Sequence, residues 1–155
     1  MKKNNLKLFK LALSKFATGL TIISINTEKE FIGKTVNSFA SLSLDPPLVL
    51  FSLDKKSASL QLYKKANYIG INILSNKQKK LSECFANNKP EWNNIKYFLT
   101  ENNIPMIKNS VANIDCEKIK TISQGDHIIF ICKVNEIKID KNKKPLIYLN
   151  SKYIL

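Results

Sequence analysis

Residues 35–53 read Thr-Val-Asn-Ser-Phe-Ala-Ser-Leu-Ser-Leu-Asp-Pro-Pro-Leu-Val-Leu-Phe-Ser-Leu, and this stretch decides the fold class. Phe31 to Leu44 is an extended region, interrupted by Gly33 and stopped by Asp45-Pro46-Pro47. Two consecutive prolines cannot both donate to a β ladder, so they belong at a strand entrance or an edge. Leu48 to Leu53 is a nearly unbroken apolar run, the pattern of a strand buried on both faces. Asn37 and Ser38 are polar residues in an otherwise apolar setting, where polar groups need partners. One assignment is hydrogen bonding to a neighbouring strand; the other is donation to a bound ligand.

Working outward, Leu20 to Ile25 is rich in β-branched residues and predicts a strand. Before it, Leu6, Phe9, Leu13 and Phe16 recur at helical spacing among lysines, predicting an amphipathic helix over Met1 to Phe16; a docked helix explains this as well as a presequence or a surface-seeking helix does. After residue 53, Ser57 or Ser59 caps a short helix whose apolar side is Leu60, Leu62 and Tyr63. Ile69, Ile71 and Ile73 alternate with Gly70 and Asn72 in a strand over Tyr68 to Leu74. Asn76 caps a helix to about Phe85, with Leu81, Cys84 and Phe85 facing inward. Ala86 to Ser110 is polar and asparagine-rich and reads as a surface excursion. Val111 to Ile122, His127 to Ile139 and Leu146 to Tyr148 supply further strands. Many short strands, few helices and no βαβ rhythm give a mainly β protein, an antiparallel barrel. The 155 residues fit one domain, 1–155, without linker or internal repeat.

The absences are as informative. The four glycines, at 19, 33, 70 and 125, permit neither GxGxxG nor GxxxxGK[ST]. A single histidine, His127, and three scattered cysteines assemble no zinc site, so no metal is expected. Cys132 lies in an apolar strand and is read as a buried thiol, and the unpatterned cysteines suit a reducing, cytoplasmic compartment. The formal charge of +13 is carried by 25 lysines with no arginine. Arginine is the usual bidentate reader of phosphate and guanine, and the lysines are dispersed, so no nucleic-acid partner is expected. No apolar stretch approaches the ~20 residues that span a bilayer, and no membrane association is expected. With so few reactive side chains, the chemistry falls to a bound cofactor.

Phe16-Ala17-Thr18-Gly19, Thr35-Val36-Asn37-Ser38-Phe39 and Ser41-Leu42-Ser43-Leu44-Asp45-Pro46-Pro47-Leu48-Val49 resemble the flavin reductase-like, FMN-binding split-barrel family. The similarity is greatest to reductase components of two-component flavin monooxygenases. Ala66-Asn67-Tyr68, Ile71 to Leu74, Leu81 to Ala86, Gly125-Asp126-His127 and Lys152-Tyr153 follow in order, so the resemblance spans roughly residues 6 to 153. It departs at Ala86 to Ser110, at Asn113, where an aromatic residue is frequent, and where lysine replaces arginine.

The resemblance implies a homodimer of six-stranded antiparallel split barrels with flavin, FMN or FAD, at the subunit interface. Thr35, Val36, Asn37, Ser38 and Ser41 would lie with Ser52, Leu53 and Asp54 around the isoalloxazine. Ser57, Ala58 and Ser59 would hold the flavin phosphate, with Lys55 or Lys56 close by. Read from the residues alone, Ser57 is an ordinary helix cap and the lysines are solvated. Asp126, His127, Lys152 and Tyr153 would form the nicotinamide subsite for NADH or NADPH, with His127 at the reacting centre. The implied reaction is hydride transfer from nicotinamide C4 to flavin N5, with reduced flavin passing to a separate oxygenase. An FMN-binding electron carrier of the same fold, without NAD(P)H oxidation, is the other reading. Asp126, His127, Lys152 and Tyr153 favour the enzyme, since a pure carrier needs no nicotinamide subsite.

Overall fold

The computed structural model describes residues 3–87 and 92–154. Positions 1 and 2 of the expected first helix and 88–91 of the expected excursion lie outside the described residues. The elements, in order, are α1 (Lys3–Ser14), β1 (Thr18–Gly19), β2 (Thr21–Asn26), β3 (Phe31–Val36), β4 (Ala40–Leu44), β5 (Pro47–Asp54), α2 (Leu60–Lys65) and β6 (Tyr68–Ile73). A 3-10 turn at Asn76–Gln78 leads into α3 (Lys79–Ala86), and another at Trp92–Asn94 precedes β7 (Tyr97–Leu99) and β8 (Pro105–Ile107). The chain ends with β9 (Ala112–Gln124), β10 (His127–Ile139), β11 (Ile147–Leu149) and β12 (Lys152–Ile154).

The main sheet is seven-stranded and antiparallel, in the order β3-β2-β6-β9-β10-β5-β4. The expected count of six is therefore corrected to seven, because the Asp45-Pro46 turn folds β4 back on β5 as a hairpin. This order also dictates curvature. Strands β3 and β4 occupy opposite edges, yet only Asn37, Ser38 and Phe39 separate them. A flat sheet would hold its edges ~29 Å apart at ~4.8 Å per strand. Four Cα steps reach only ~15 Å. The sheet must roll until its edges meet, which makes a barrel, and since β3 and β4 share no ladder the barrel stays split.

Two cores sit on the two faces of this rolled sheet. Strand β2 feeds both by period-two alternation: Ile23 and Ile25 join Val49, Phe51, Leu53, Tyr63, Ile71 and Phe130 inside, whereas Ile22, with Leu20 just before the strand, joins Leu74, Phe85, Trp92 and Ile107 outside. The Phe51 and Phe130 rings stack with centroids 4.9 Å apart. Leu60 and Tyr63 anchor α2 on the inner core, and the Tyr63 hydroxyl donates to the Ile23 carbonyl at 2.8 Å.

Several expectations are corrected. Residues 92–110 are not a surface excursion: Trp92, Ile104, Met106, Ile107 and Ser110 are buried, and β7 and β8 form a hairpin over the sheet. That hairpin covers the Gly70 and Asn72 face of β6, so β6 is buried on both faces. A Cβ at Gly70 would meet Ser24 Oγ at 2.5 Å and Met106 Sδ at 2.9 Å, so glycine is what lets β8 approach. Strand β5 alternates instead of being buried throughout, with Val49, Phe51 and Leu53 inward and Leu48, Leu50 and Ser52 half-exposed. Cys84 is exposed and Ser82 takes the inward position with Phe85, since the covered arc of α3 runs over Leu81, Ser82 and Phe85 and Cys84 falls outside it. The cap of the preceding turn is Ser75, in a reciprocal pair with Gln78, not Asn76. Helix α1 forms, but Leu6, Phe9 and Leu13 are exposed, so it is not docked along its length. It is held at its end, where the Asn150 amide donates to the Ser14 carbonyl at 2.8 Å.

Candidate functional site

Because the edges meet at Asn37–Phe39, the end of β3, the end of β5 and the start of β10 share one rim. Ser38 joins them: its hydroxyl donates to the Ser52 carbonyl at 2.9 Å and accepts the Ser52 amide at 3.0 Å. Strand β10 pairs with β5 so that His127 lies opposite Asp54. Lys55 fastens the intervening turn, its amide donating to the Asp126 carbonyl at 2.9 Å and its Nζ to the Gly125 carbonyl at 2.7 Å. Gly125 has φ of +56°, where a side chain would be strained. His127 Nδ1 lies 2.7 Å from Asp126 Oδ1. That hydrogen bond, and after it a hydrogen bond from the residue's own backbone amide, holds the exposed Asp126 carboxyl below its ordinary pKa. An ionised carboxylate accepting from Nδ1–H leaves Nε2 as the free ring nitrogen and fixes the ring's orientation.

Ser57, Ala58 and Ser59 follow Asp54 in a tight turn, in which the Asp54 carbonyl accepts the Ser57 amide and Asp54 Oδ1 accepts the Lys56 amide. Neither serine caps α2. Ser59 occupies the cap position without a side-chain bond, and the two hydroxyls lie 3.3 Å from each other. Among the described residues the Ala58 and Ser59 amides meet no acceptor. Two serine hydroxyls and two adjacent amides without an acceptor are the kind of donor set that an anion requires. The six-residue α2 adds little macrodipole to it.

The other expected residues divide. The Thr35 hydroxyl donates to the Ser82 carbonyl at 2.8 Å. Val36 packs against the inner core and Leu53 lies within it, so Leu53 offers a ligand only its backbone. Asn37 and Ser41 are exposed on the rim, and Asn37 makes no hydrogen bond among the described residues. Lys152 and Tyr153 belong to β12, in a separate sheet with β1 and β11. The Tyr153 hydroxyl lies 3.4 Å from Ser82 Oγ, and Lys79 Nζ sits 5.4 Å from the ring centroid. Tyr153 is thus brought beside Thr35 through Ser82, while no hydrogen bond within the chain joins it to His127. The buried thiols are ill-suited to nucleophilic work, since burial pushes Cys132 up to about 12 and raises Cys116 as well.

Three residues that sequence reasoning passed over line a cavity of about 270 Å³ beside Ser57–Ser59: Lys34, Asn87 and Trp92. Lys34 was legible as the neighbour of Thr35. The other two were hidden in or next to the polar stretch read as an excursion.

Residues 13–154 match the family described as the flavin reductase like domain. The chain belongs to this family. It is 36% identical over 130 residues to the FMN reductase (NADH) SmoA of Agrobacterium fabrum, covering 84% of this chain and 75% of that protein. It is 34% identical to the reductase subunit HsaB of a flavin-dependent monooxygenase of Mycobacterium tuberculosis, covering 88% and 74%. Among solved structures, flavin reductase PheA2 superimposes with a TM-score of 0.89 at 35% identity, over 99% of this chain and 97% of that one.

Proposed function

We propose that this chain is an NAD(P)H-dependent flavin reductase acting as the reductase component of a two-component monooxygenase. The observation that carries the reading is that Ser38 is bonded to Ser52 and His127 lies opposite Asp54, so that Asn37, His127 and the turn leading to Ser57–Ser59 all adjoin the same end of β5. When bound, flavin supplies the hydride acceptor at N5 and dihydronicotinamide the donor at C4. Ser57, Ser59 and the Ala58 and Ser59 amides hold the phosphate. Asn37 and the exposed backbone of residues 35–38 and 52–54 face the ring, with Ser41 at the margin.

His127, locked by Asp126, positions the nicotinamide; hydride transfer itself requires no acid or base from the protein. Asp126 keeps its charge, and the ring its orientation, at every pH above its lowered pKa. Lys152 and Tyr153 close the nucleotide side. Their separation from His127 within one chain is accounted for by a homodimer, which the exposed Leu6, Phe9 and Leu13 of α1 and Leu42 and Leu44 of β4 support. None of the described helices is long and apolar enough to cross a membrane.

The test is steady-state oxidation of NADH and NADPH with added FMN, FAD and riboflavin. Oxidation faster than the protein-free control is expected; flavin binding without oxidation would leave an electron carrier. His127→Ala should slow reduction about 10- to 100-fold, the scale lost when a reactant is misplaced by an ångström. Its flavin affinity should stay within about twofold, and a collapse of affinity would instead make His127 a flavin ligand.

A further inference from the structure

Lys118 of β9 lies outside the site described above, yet it holds the helix that follows the Ser57–Ser59 turn. Tyr63 and Lys64 present carbonyls in the last turn of the six-residue α2, where intrahelical donors run out. Lys118 replaces them: its Nζ donates to the Tyr63 carbonyl at 3.4 Å and also to the Lys64 carbonyl. Its backbone amide donates to the Asn67 carbonyl at 2.8 Å, so side chain and main chain together tie β9 to the end of α2. Strand β9 is shaped to aim this side chain. Lys118 pairs with Cys132 and Lys120 with Ile131, which leaves Ile119 as an extra residue, a bulge. Residues paired across a ladder share a face. Cys132 is fully buried in the inner core, so Lys118 is turned inward, and the bulge sends Lys120 outward.

A half-buried lysine in no ion pair among the described residues gains nothing from a carboxylate, and burial lowers its pKa. What it gains is the pair of carbonyls at a helix C-terminus, which suit a cation. From there the bonds run on to the turn. Tyr63 is fixed on three sides: its carbonyl accepts from Lys118, its hydroxyl donates to Ile23, and its amide donates to the Ser59 carbonyl at 3.2 Å. The Leu62 amide donates to that same carbonyl at 3.0 Å, and the Leu60 amide to the Ser57 carbonyl at 3.0 Å. At ~1.5 Å per residue a six-residue helix is only ~9 Å long, so a shift at Lys64 is felt at Ser59. Donors gain affinity for an anion when their separation is fixed before it binds. We propose that Lys118 is a positioning residue for the Ser57–Ser59 turn and sets how tightly the protein holds a flavin's phosphate relative to its ring; this rests on the phosphate assignment proposed above.

The test is calorimetric titration of the full-length protein with riboflavin, FMN and FAD, in the parent and in Lys118→Met, which keeps an unbranched stem and removes the donors. FMN and FAD are expected to weaken about tenfold, the scale of one lost hydrogen bond, while riboflavin stays within about twofold. Lys118→Arg, whose guanidinium can donate to both carbonyls, is expected to restore the ratio of FMN to riboflavin affinity. If Lys118→Met does not fold, Lys118→Gln, an uncharged donor on a shorter stem, is read in the same way and should shift the ratio in the same direction. A general loosening of the fold would weaken all three flavins together; that result, or no change in any of them, overturns the positioning role. If the parent binds FMN no more tightly than riboflavin, the failure lies in the phosphate turn itself, and the role of Lys118 falls with it.

Discussion

Asn72 and Asn37 are the same residue type in one sheet, used in opposite ways. Asn72, at the centre in β6, is fully buried and all of its hydrogen-bonding capacity is used within the chain. Its Nδ2 donates to the Ile22 carbonyl at 2.9 Å and to Ser24 Oγ at 3.0 Å. Its Oδ1 accepts the Ile107 amide at 2.8 Å and Asn113 Nδ2 at 2.7 Å. Asn37, on the rim between the two edge strands, is exposed and makes no hydrogen bond among the described residues. The centre spends polarity on welding β8 to the sheet. The rim keeps polarity unspent, as a site for a polar ligand must. Ser38, adjacent to Asn37, belongs with the centre by this measure, because its hydroxyl is already committed to Ser52.

The contrast breaks first if Asn72 can be lost cheaply. Asn72→Ala leaves the Ile107 amide and the Asn113 side chain without their acceptor and opens a gap beneath β8. Unfolding by urea should show a loss of about 3 kcal/mol or more, since each buried group left unsatisfied costs roughly 1–3 kcal/mol. A loss under about 1 kcal/mol would mean that water replaces the side chain and that the centre is no weld.

The difference between centre and rim also marks what was legible in the sequence. The rim was readable because it is nearly continuous in the chain: residues 35–59 carry the loop, the hairpin, the end of β5 and the anion turn in one stretch. The residue-level reading of Asn37 and Ser38 allowed either a strand bond or a ligand bond; Ser38 takes the strand bond, and Asn37 makes no hydrogen bond among the described residues. The cover over β6 was not readable. It depends on β8 reaching Gly70 and Asn72 from some 35 positions away, on a three-residue strand too short to show a period. Trp92 and Ile104 lay scattered among asparagines, so their burial had no local signature. Cys84 failed for a different reason: on the helical wheel it lies on one flank of Leu81 and Phe85 and Ser82 on the other, and the apolar spacing chose the cysteine's flank while the chain covers the serine's. A helix at α1 was legible, but the docking expected of it does not form along its length, because an apolar stripe says that a helix is covered without saying by what.

Ser38→Ala tests the middle case. It removes both bonds to Ser52 across the seam of the split barrel and should cost about 1–2 kcal/mol in denaturant unfolding. Flavin affinity should fall with it, because the β3–β4 loop and the end of β5 are then no longer held at a fixed separation. Ser38→Thr, which keeps the hydroxyl, should recover most of both. Stability restored without affinity would separate the seam from the site.

Asn37→Ala should have the smallest effect on the fold and is the sharpest test of the rim. An exposed side chain with no partner in the chain contributes little to folding, so stability should stay within about 0.5 kcal/mol of the parent. If Asn37 donates to the flavin ring, riboflavin, FMN and FAD should all weaken by a similar factor, up to about tenfold, since the ring is common to the three. Loss confined to FMN and FAD would place Asn37 at the phosphate, which the anion turn already serves. Unchanged affinity for all three would make it an ordinary surface asparagine, and Ser38 alone would then account for the polarity of the loop. The two asparagines should thus exchange signatures: Asn72→Ala lowers stability in the absence of flavin, whereas Asn37→Ala becomes visible only when flavin is titrated.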